Sequence, residues 1–196
     1  MFCLDELRFL HLDWGEVQRL SEALAGAVYA SGNAPEVVVA VSRGGYVPAR
    51  ILCDQLGVRA LGSFQVESYA GIGKAREPRI TAPLSTEVGR MAVLLVDDVS
   101  DSGSSLQAAR GHVSAFGPSS LRVATLHVKP WTTYRPDYWV EETDAWIVYP
   151  WEVKEAAEEI AEKIRASDPK ADIRSRLIEY GFSREAAEKY APKKRI

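Results

Sequence analysis

The sequence predicts an α/β fold in which a central, mostly parallel sheet is flanked by helices and followed by a helical C-terminal extension. Three observations carry this. The runs VVVAV at 37–41 and VLLV at 93–96 are short and continuously apolar, and LRVATLHV at 121–128 is a third, mainly apolar run. Segments with helical apolar spacing alternate with them, and loops of small residues follow the first two runs directly. An apolar run without polar alternation suits a strand buried on both faces, and strands that alternate with helices build a parallel sheet. At 196 residues the chain is long enough for one domain with a sizeable core.

The elements follow in order. Val17, Leu20, Leu24, Ala27 and Val28 form the stripe of an amphipathic helix that stops at SGN, residues 31–33. After the strand at 37–41 comes SRGG, and Pro48 stands near the start of a helix through Ile51, Leu52 and Leu56 that Gly57 ends. Residues 68–90 hold three glycines, two prolines and four basic residues with little periodicity, which predicts a long mobile loop. The strand at 93–97 leads through a small-residue loop to a helix with Leu106, Ala109, Val113 and Phe116 on one face and Gly117 as its stop. The strand at 121–128 follows. From Val153 a further helix places Val153, Ala156, Ala157, Ile160 and Ile164 on one face, and Ser167-Asp168-Pro169 breaks it. Two short helices around Gly181 complete the chain, the second capped by Ser183. The expected division is a core over residues 1–152 and an extension over 153–196.

Charged residues at 26% and a net charge of −3 give no electrostatic case for a nucleic-acid partner. Cys3 and Cys53 lie in no metal-ligand spacing, consistent with a reducing intracellular setting. The opening MFCLDELRFLHLDW does not read as a secretory signal. No apolar run approaches the roughly 18 residues of a membrane span, so the expected location is the cytoplasm, with no membrane partner.

The stretch VLLVDDVSDSGSSL at 93–106 sets a chemical problem. In a parallel sheet ligands sit beyond the carboxyl ends of the strands, and a helix N-terminus there offers unpaired N–H groups to an anion. Ser102, Gly103, Ser104 and Ser105 suit a phosphate monoester, although Ser104-x-x-Gln107 alone would be a capping box. Asp97, Asp98 and Asp101 would repel that phosphate unless sugar hydroxyls or a divalent cation lay between them. The implied ligand therefore has a phosphate and a polyhydroxylated ring, with a magnesium ion. No G-x-x-x-x-G-K-[ST] occurs, and no G-x-G-x-x-G follows the first strand, so nucleotide loops of those kinds are excluded.

The stretch resembles the signature of the type I phosphoribosyltransferases, which bind 5-phosphoribosyl 1-pyrophosphate (PRPP). By that resemblance Asp97 and Asp98 meet the ribose hydroxyls, and Asp101, Ser102, Gly103, Ser104 and Ser105 hold the 5′-phosphate. Ser42, Arg43, Gly44 and Gly45 correspond to the family's pyrophosphate loop, which often contains a non-proline cis peptide. Ser68 and Tyr69 resemble the start of its catalytic loop, with Lys74, Arg76 and Arg79 as alternative cations. KPW at 129–131 and DAWIVYPWE at 144–152 resemble the hood of the 6-oxopurine enzymes of xanthine–guanine and hypoxanthine type, which gives the chain a small hood at about 129–152.

The resemblance implies that Lys129 donates to O6, Trp146 stacks on the purine, Ile147 offers backbone groups to the base edge and Glu152 lies near the 2-substituent or the metal waters. Trp131 and Trp151 are expected to pack the hood. Magnesium would be held mainly through PRPP and water, with Asp98 and Glu152 as candidate contributors. Asp101 corresponds to an acid near N7 that takes or returns a proton, and is thus the candidate catalytic residue. The expected reaction is purine salvage, giving a nucleoside monophosphate and pyrophosphate, by a homodimer or higher homo-oligomer. Two alternatives stand beside it. One is an adenine enzyme derived from the 6-oxopurine type, against which Lys129 is a donor where adenine needs an acceptor. The other is a regulator that binds PRPP or a purine nucleotide without catalysis, its helix pair and basic KKRI end forming a small appendage.

Overall fold

The structure, a computed structural model, describes residues 8–69 and 77–191. Cys3, Lys74, Arg76 and the KKRI end lie outside the described residues. In chain order the elements are β1 (Phe9–His11), α1 (Trp14–Ala30), β2 (Val37–Ser42), α2 (Tyr46–Gln55), β3 (Ala60–Tyr69), β4 (Glu77–Ala82), β5 (Ala92–Ser100), α3 (Ser104–Ser114), β6 (Ser120–Val128), β7 (Tyr138–Glu142), β8 (Trp146–Val148), α4 (Val153–Ser167), α5 (Ile173–Glu179) and α6 (Arg184–Tyr190). They fall into two compact units, Val17–Thr143 and Met1–Glu16 with Asp144–Ile196.

The larger unit is built on a six-stranded sheet of order β4-β3-β2-β5-β6-β7. All neighbours are parallel except β3 and β4. β2 is apolar from Val37 to Val41 because both of its faces are covered: Val37, Val38, Val39 and Ala40 have no exposed surface. Val37, Val39 and Val41 share a core with Val93 and Leu95 of β5 and with Leu106, Ala109 and Val113 of α3; Phe116, also expected on that helix face, lies past the end of α3 and is exposed.

The strand order also locates a site. After β2 the chain crosses through α2 to β3 on one side, and after β5 it crosses through α3 to β6 on the other. Because such crossovers are right-handed, the two helices cover opposite faces. The carboxyl ends of β2 and β5 are thus a topological switch point, where open α/β sheets bind ligands. Residues 43–45 and 101–103 both begin there.

The expected loop over 68–90 is corrected: it contains β4, antiparallel to β3 with Glu67 opposite Arg79. β4 alternates exposed and half-buried residues over only six positions, EPRITA. So weak a period is invisible in a stretch rich in Gly, Pro and charge. Its edge position is one where a strand tolerates Pro78.

In the smaller unit β1 pairs in parallel with β8, Phe9 opposite Trp146. Val148 joins Ala156, Ala157, Ile160 and Ile164 of α4, Leu177 of α5, and Phe182 and Ala187 in one core. The compact division falls at 143/144, and the smaller unit takes in the N-terminal strand. The reason is that two three-residue strands gain a ladder only from each other. Asp172 and Ser183 accept backbone N–H bonds from Arg174 and Ala186, capping α5 and α6. Among the described residues no helix is long and apolar enough to cross a membrane.

Candidate active site

β5 delivers Asp97 and Asp98 at its carboxyl end, and residues 101–103 turn the chain into α3. The turn depends on Gly103, whose φ of 87° is left-handed. A Cβ there would also come within 2.6 Å of the Tyr134 nitrogen. The Gly103 carbonyl accepts the Gln107 N–H at 2.9 Å, so Gly103 caps the helix and the Ser104-x-x-Gln107 capping box does not form. Ser104 is freed for the loop, its hydroxyl 2.9 Å from that of Ser102. The first-turn N–H groups of α3 face the same turn.

The two adjacent acids are held by backbone. Asp98 donates its N–H to the Asp97 carboxylate at 3.0 Å, and Val99 donates to that of Asp98 at 2.8 Å. Burial raises the Asp97 carboxyl well above the usual carboxylate range, and the charge of Asp98 raises it further. Burial also pushes Asp98 up, to about 6. Two carboxyls so placed resist carrying two charges unless hydrogen-bond donors or a cation face them.

The second loop leans on this pair. The Ser42–Arg43 peptide is cis. A Cβ on Gly44 would lie 2.3 Å from an Asp98 carboxylate oxygen, so only glycine lets the loop approach that acid. The Gly45 N–H donates to Val41 O at 2.9 Å, and a backbone hydrogen bond from Gly45 also eases the charge on Asp97. Arg43 is exposed and Ser42 half-buried. Hydrogen bonds with Ser42 and then Ser63 lower the Tyr46 phenol from its ordinary value, a contact that the sequence did not suggest.

Lys129, directly after β6, is buried at 6% exposure, and its N–H donates to Ser100 O at 3.0 Å. Residues 129–134 then strap the 100–103 turn. The Ser100 hydroxyl reaches Tyr134 O at 2.7 Å and the Thr132 hydroxyl at 2.9 Å, and the Thr133 hydroxyl donates to Ser102 O at 2.7 Å. Trp131, expected to pack the hood, is instead 55% exposed, and its Nε1–H donates to Asp101 Oδ1 at 2.8 Å. His127, on β6, is fully buried 3.7 Å from a Glu141 carboxylate oxygen; burial pushes its imidazole down to about 4, which keeps it neutral.

This geometry joins sequence similarity. The family model of the phosphoribosyl transferase domain matches residues 12–161. The chain belongs to the phosphoribosyltransferase family. The xanthine-guanine phosphoribosyltransferase of Roseobacter denitrificans is 32% identical over 154 residues, covering 73% of this chain and 85% of that protein. That of Gluconobacter oxydans is 30% identical, with coverages of 74% and 86%. The crystal structure of a purine phosphoribosyltransferase from Pyrococcus horikoshii superposes with a TM-score of 0.67 at 36% identity, over 74% of this chain and 94% of that one. The Helicobacter pylori xanthine-guanine-hypoxanthine enzyme, at 23% identity and a TM-score of 0.66 over 78% and 99%, shares the fold.

The remaining candidates of this phosphoribosyltransferase belong to other elements. Ser68 and Tyr69 end β3, opposite Pro78 and Glu77; Arg79 is exposed on β4. In the smaller unit Trp146 is half-buried, its ring 6.2 Å from that of Phe9 and 5.0 Å from the Lys163 ammonium. Ile147 is buried opposite Leu10. Glu152 precedes α4, and Trp151 stacks on Tyr149 at 4.6 Å.

The family generally uses magnesium with PRPP. Among the described residues no three His, Cys, Asp or Glu side chains form a metal cage. The Asp97–Asp98 pair, two hard oxygen donors with a surplus of negative charge, fits a cation held mostly by substrate oxygens and water.

Proposed function

We propose that the enzyme transfers the 5-phosphoribosyl group of PRPP to a 6-oxopurine, giving a nucleoside 5′-monophosphate and pyrophosphate. The single observation that carries this is Lys129, a buried donor-only ammonium whose backbone is bonded to the loop of the three aspartates. Such a group complements an exocyclic oxygen and not an amine. The names of the bacterial relatives, xanthine-guanine phosphoribosyltransferase, support the same acceptor.

In this mechanism Asp97 and Asp98 accept hydrogen bonds from the ribose hydroxyls, which relieves their mutual repulsion. The N–H groups at the start of α3 and the hydroxyls of Ser102, Ser104 and Ser105 hold the 5′-phosphate. The pyrophosphate lies on residues 42–45, where Gly44 and Gly45 allow close approach and Arg43 supplies charge. Ser68 and Tyr69, at the carboxyl end of β3, retain a proposed role beside the pyrophosphate. The C1–O bond to pyrophosphate breaks as the purine nitrogen bonds to C1 with inversion, and Asp101 exchanges a proton at N7. Magnesium, when bound, neutralises the departing pyrophosphate, with Asp98 and Glu152 as candidate contributors. Trp146, Ile147 and Glu152 retain proposed base-contact roles, and a cytoplasmic homo-oligomer is part of the same proposal.

The test is pyrophosphate release with PRPP, magnesium and, separately, guanine, xanthine, hypoxanthine and adenine. Turnover is expected with one or more of the first three. Turnover with adenine alone would overturn the acceptor; PRPP binding without turnover on any base would indicate a regulator.

A further inference from the structure

The strap at 129–134 brings one side chain against two groups that the proposed reaction uses separately. The Trp131 indole N–H is bonded to Asp101 Oδ1 at 2.8 Å, and the Lys129 Nζ stands 5.6 Å from the same ring. Trp131 is itself held on both sides: Lys129 N–H donates to Ser100 O at 3.0 Å, and the Thr133 N–H and hydroxyl both donate to Ser102 O, at 3.1 and 2.7 Å. The ring therefore rides on the same turn that carries Asp101.

An exposed aspartate on a short turn has several rotamers open to it. A hydrogen bond from a rigid ring with two side-chain torsions selects among them at little entropic cost. It also commits one carboxylate oxygen and leaves Oδ2, which among the described residues takes no hydrogen bond, for another partner. Trp131 is 55% exposed, so filling the core does not account for a tryptophan here.

We infer that Trp131 is a positioning residue for phosphoribosyl transfer: its indole N–H fixes the Asp101 carboxylate so that the other oxygen faces N7 of the purine, while its ring carries the Lys129 ammonium toward O6. N7 and O6 are neighbours on one edge of a 6-oxopurine, so one indole aligns both groups. The residue acts through Asp101 and touches no reacting atom. This role presupposes the 6-oxopurine transfer proposed above.

Trp131→Phe keeps a ring beside Lys129 and removes the N–H. The experiment measures kcat and KM for PRPP with guanine in the unsubstituted enzyme, W131F, D101N and the double variant. W131F is expected to lower kcat roughly tenfold, the size of one lost hydrogen bond to a charged acceptor. KM for PRPP should stay within about twofold. In the D101N background the same change should have no further effect, because an amide cannot relay the proton however well it is held. An unchanged kcat in W131F, an equal loss in the D101N background, or a parallel loss of PRPP affinity each overturns the inference. Absence of turnover by the unsubstituted enzyme with every 6-oxopurine would instead sink the proposed reaction, and this role with it.

Discussion

Asp97 and Asp98 stand at the end of β5 and Asp101 opens the turn that follows, yet the two parts of this short segment hold their carboxyls in opposite surroundings. The pair is enclosed, touched by Gly44 and fed by backbone N–H groups, and burial raises both carboxyls. Asp101 is exposed and accepts its hydrogen bond from the Trp131 indole. Enclosure disfavours charge on the two neighbouring carboxyls, and hydroxyl donors or a cation would ease it, which suits binding. The exposed acid can exchange a proton with a ligand without first being released from a buried network, which suits catalysis.

The sharpest way to break that distinction is Asp101→Asn. Loss of general acid–base function should lower kcat by about a hundredfold while KM for PRPP changes little. Equal losses in both would make Asp101 a binding residue like its neighbours. A smaller effect is expected from Gly44→Ala, which drives a methyl group to 2.3 Å from the Asp98 carboxylate. The 42–45 loop must then retreat, and KM for PRPP should rise roughly tenfold, the scale of the 1–3 kcal/mol that overpacking costs. Initial rates at varied PRPP would detect it; an unchanged KM would show that the loop does not depend on its contact with Asp98.

The third test reads stability. The folded value of Asp98, about 6, lies above the ordinary carboxylate value of 3.8. A group raised in this way contributes stability below its unfolded pKa and loses that contribution as pH rises through the folded one. At pH 8 the ionised Asp98 carboxylate therefore weakens the unliganded fold, and Asp98→Asn should stabilise it by on the order of 1–3 kcal/mol, a rise of several degrees in Tm. That gain should vanish near pH 4, and PRPP affinity should fall. A melting curve at each pH decides it; a destabilised variant at pH 8 would mean that the carboxylate is already satisfied before substrate binds.

Much of this organisation was legible along the chain. The apolar runs became β2, β5 and β6, and the stops at Gly57, Gly117 and Ser167 fell where expected, because propensity, periodicity and capping act within a few residues. The SRGG and DSGSS turns were visible because their small and polar residues break off the apolar runs, although β5 carries on past the apolar run through Asp97 and Asp98 to Ser100. β4 was missed, since an edge strand is made by its partner. Trp131 was misread, since nothing within the KPW tripeptide says that its indole meets an acid 30 residues earlier.

The sequence by itself determined which segments become strands and helices, and which loops are chemically equipped for phosphate and sugar; each is a local property of backbone and side chains. Only the tertiary structure decided that the loops after β2 and β5 stand side by side, that Gly44 presses on Asp98, and that Trp131 holds Asp101. Those contacts exist because β5 pairs with β2 on one side and β6 on the other. Strand register sets the distance between residues far apart in sequence, and no local preference encodes it.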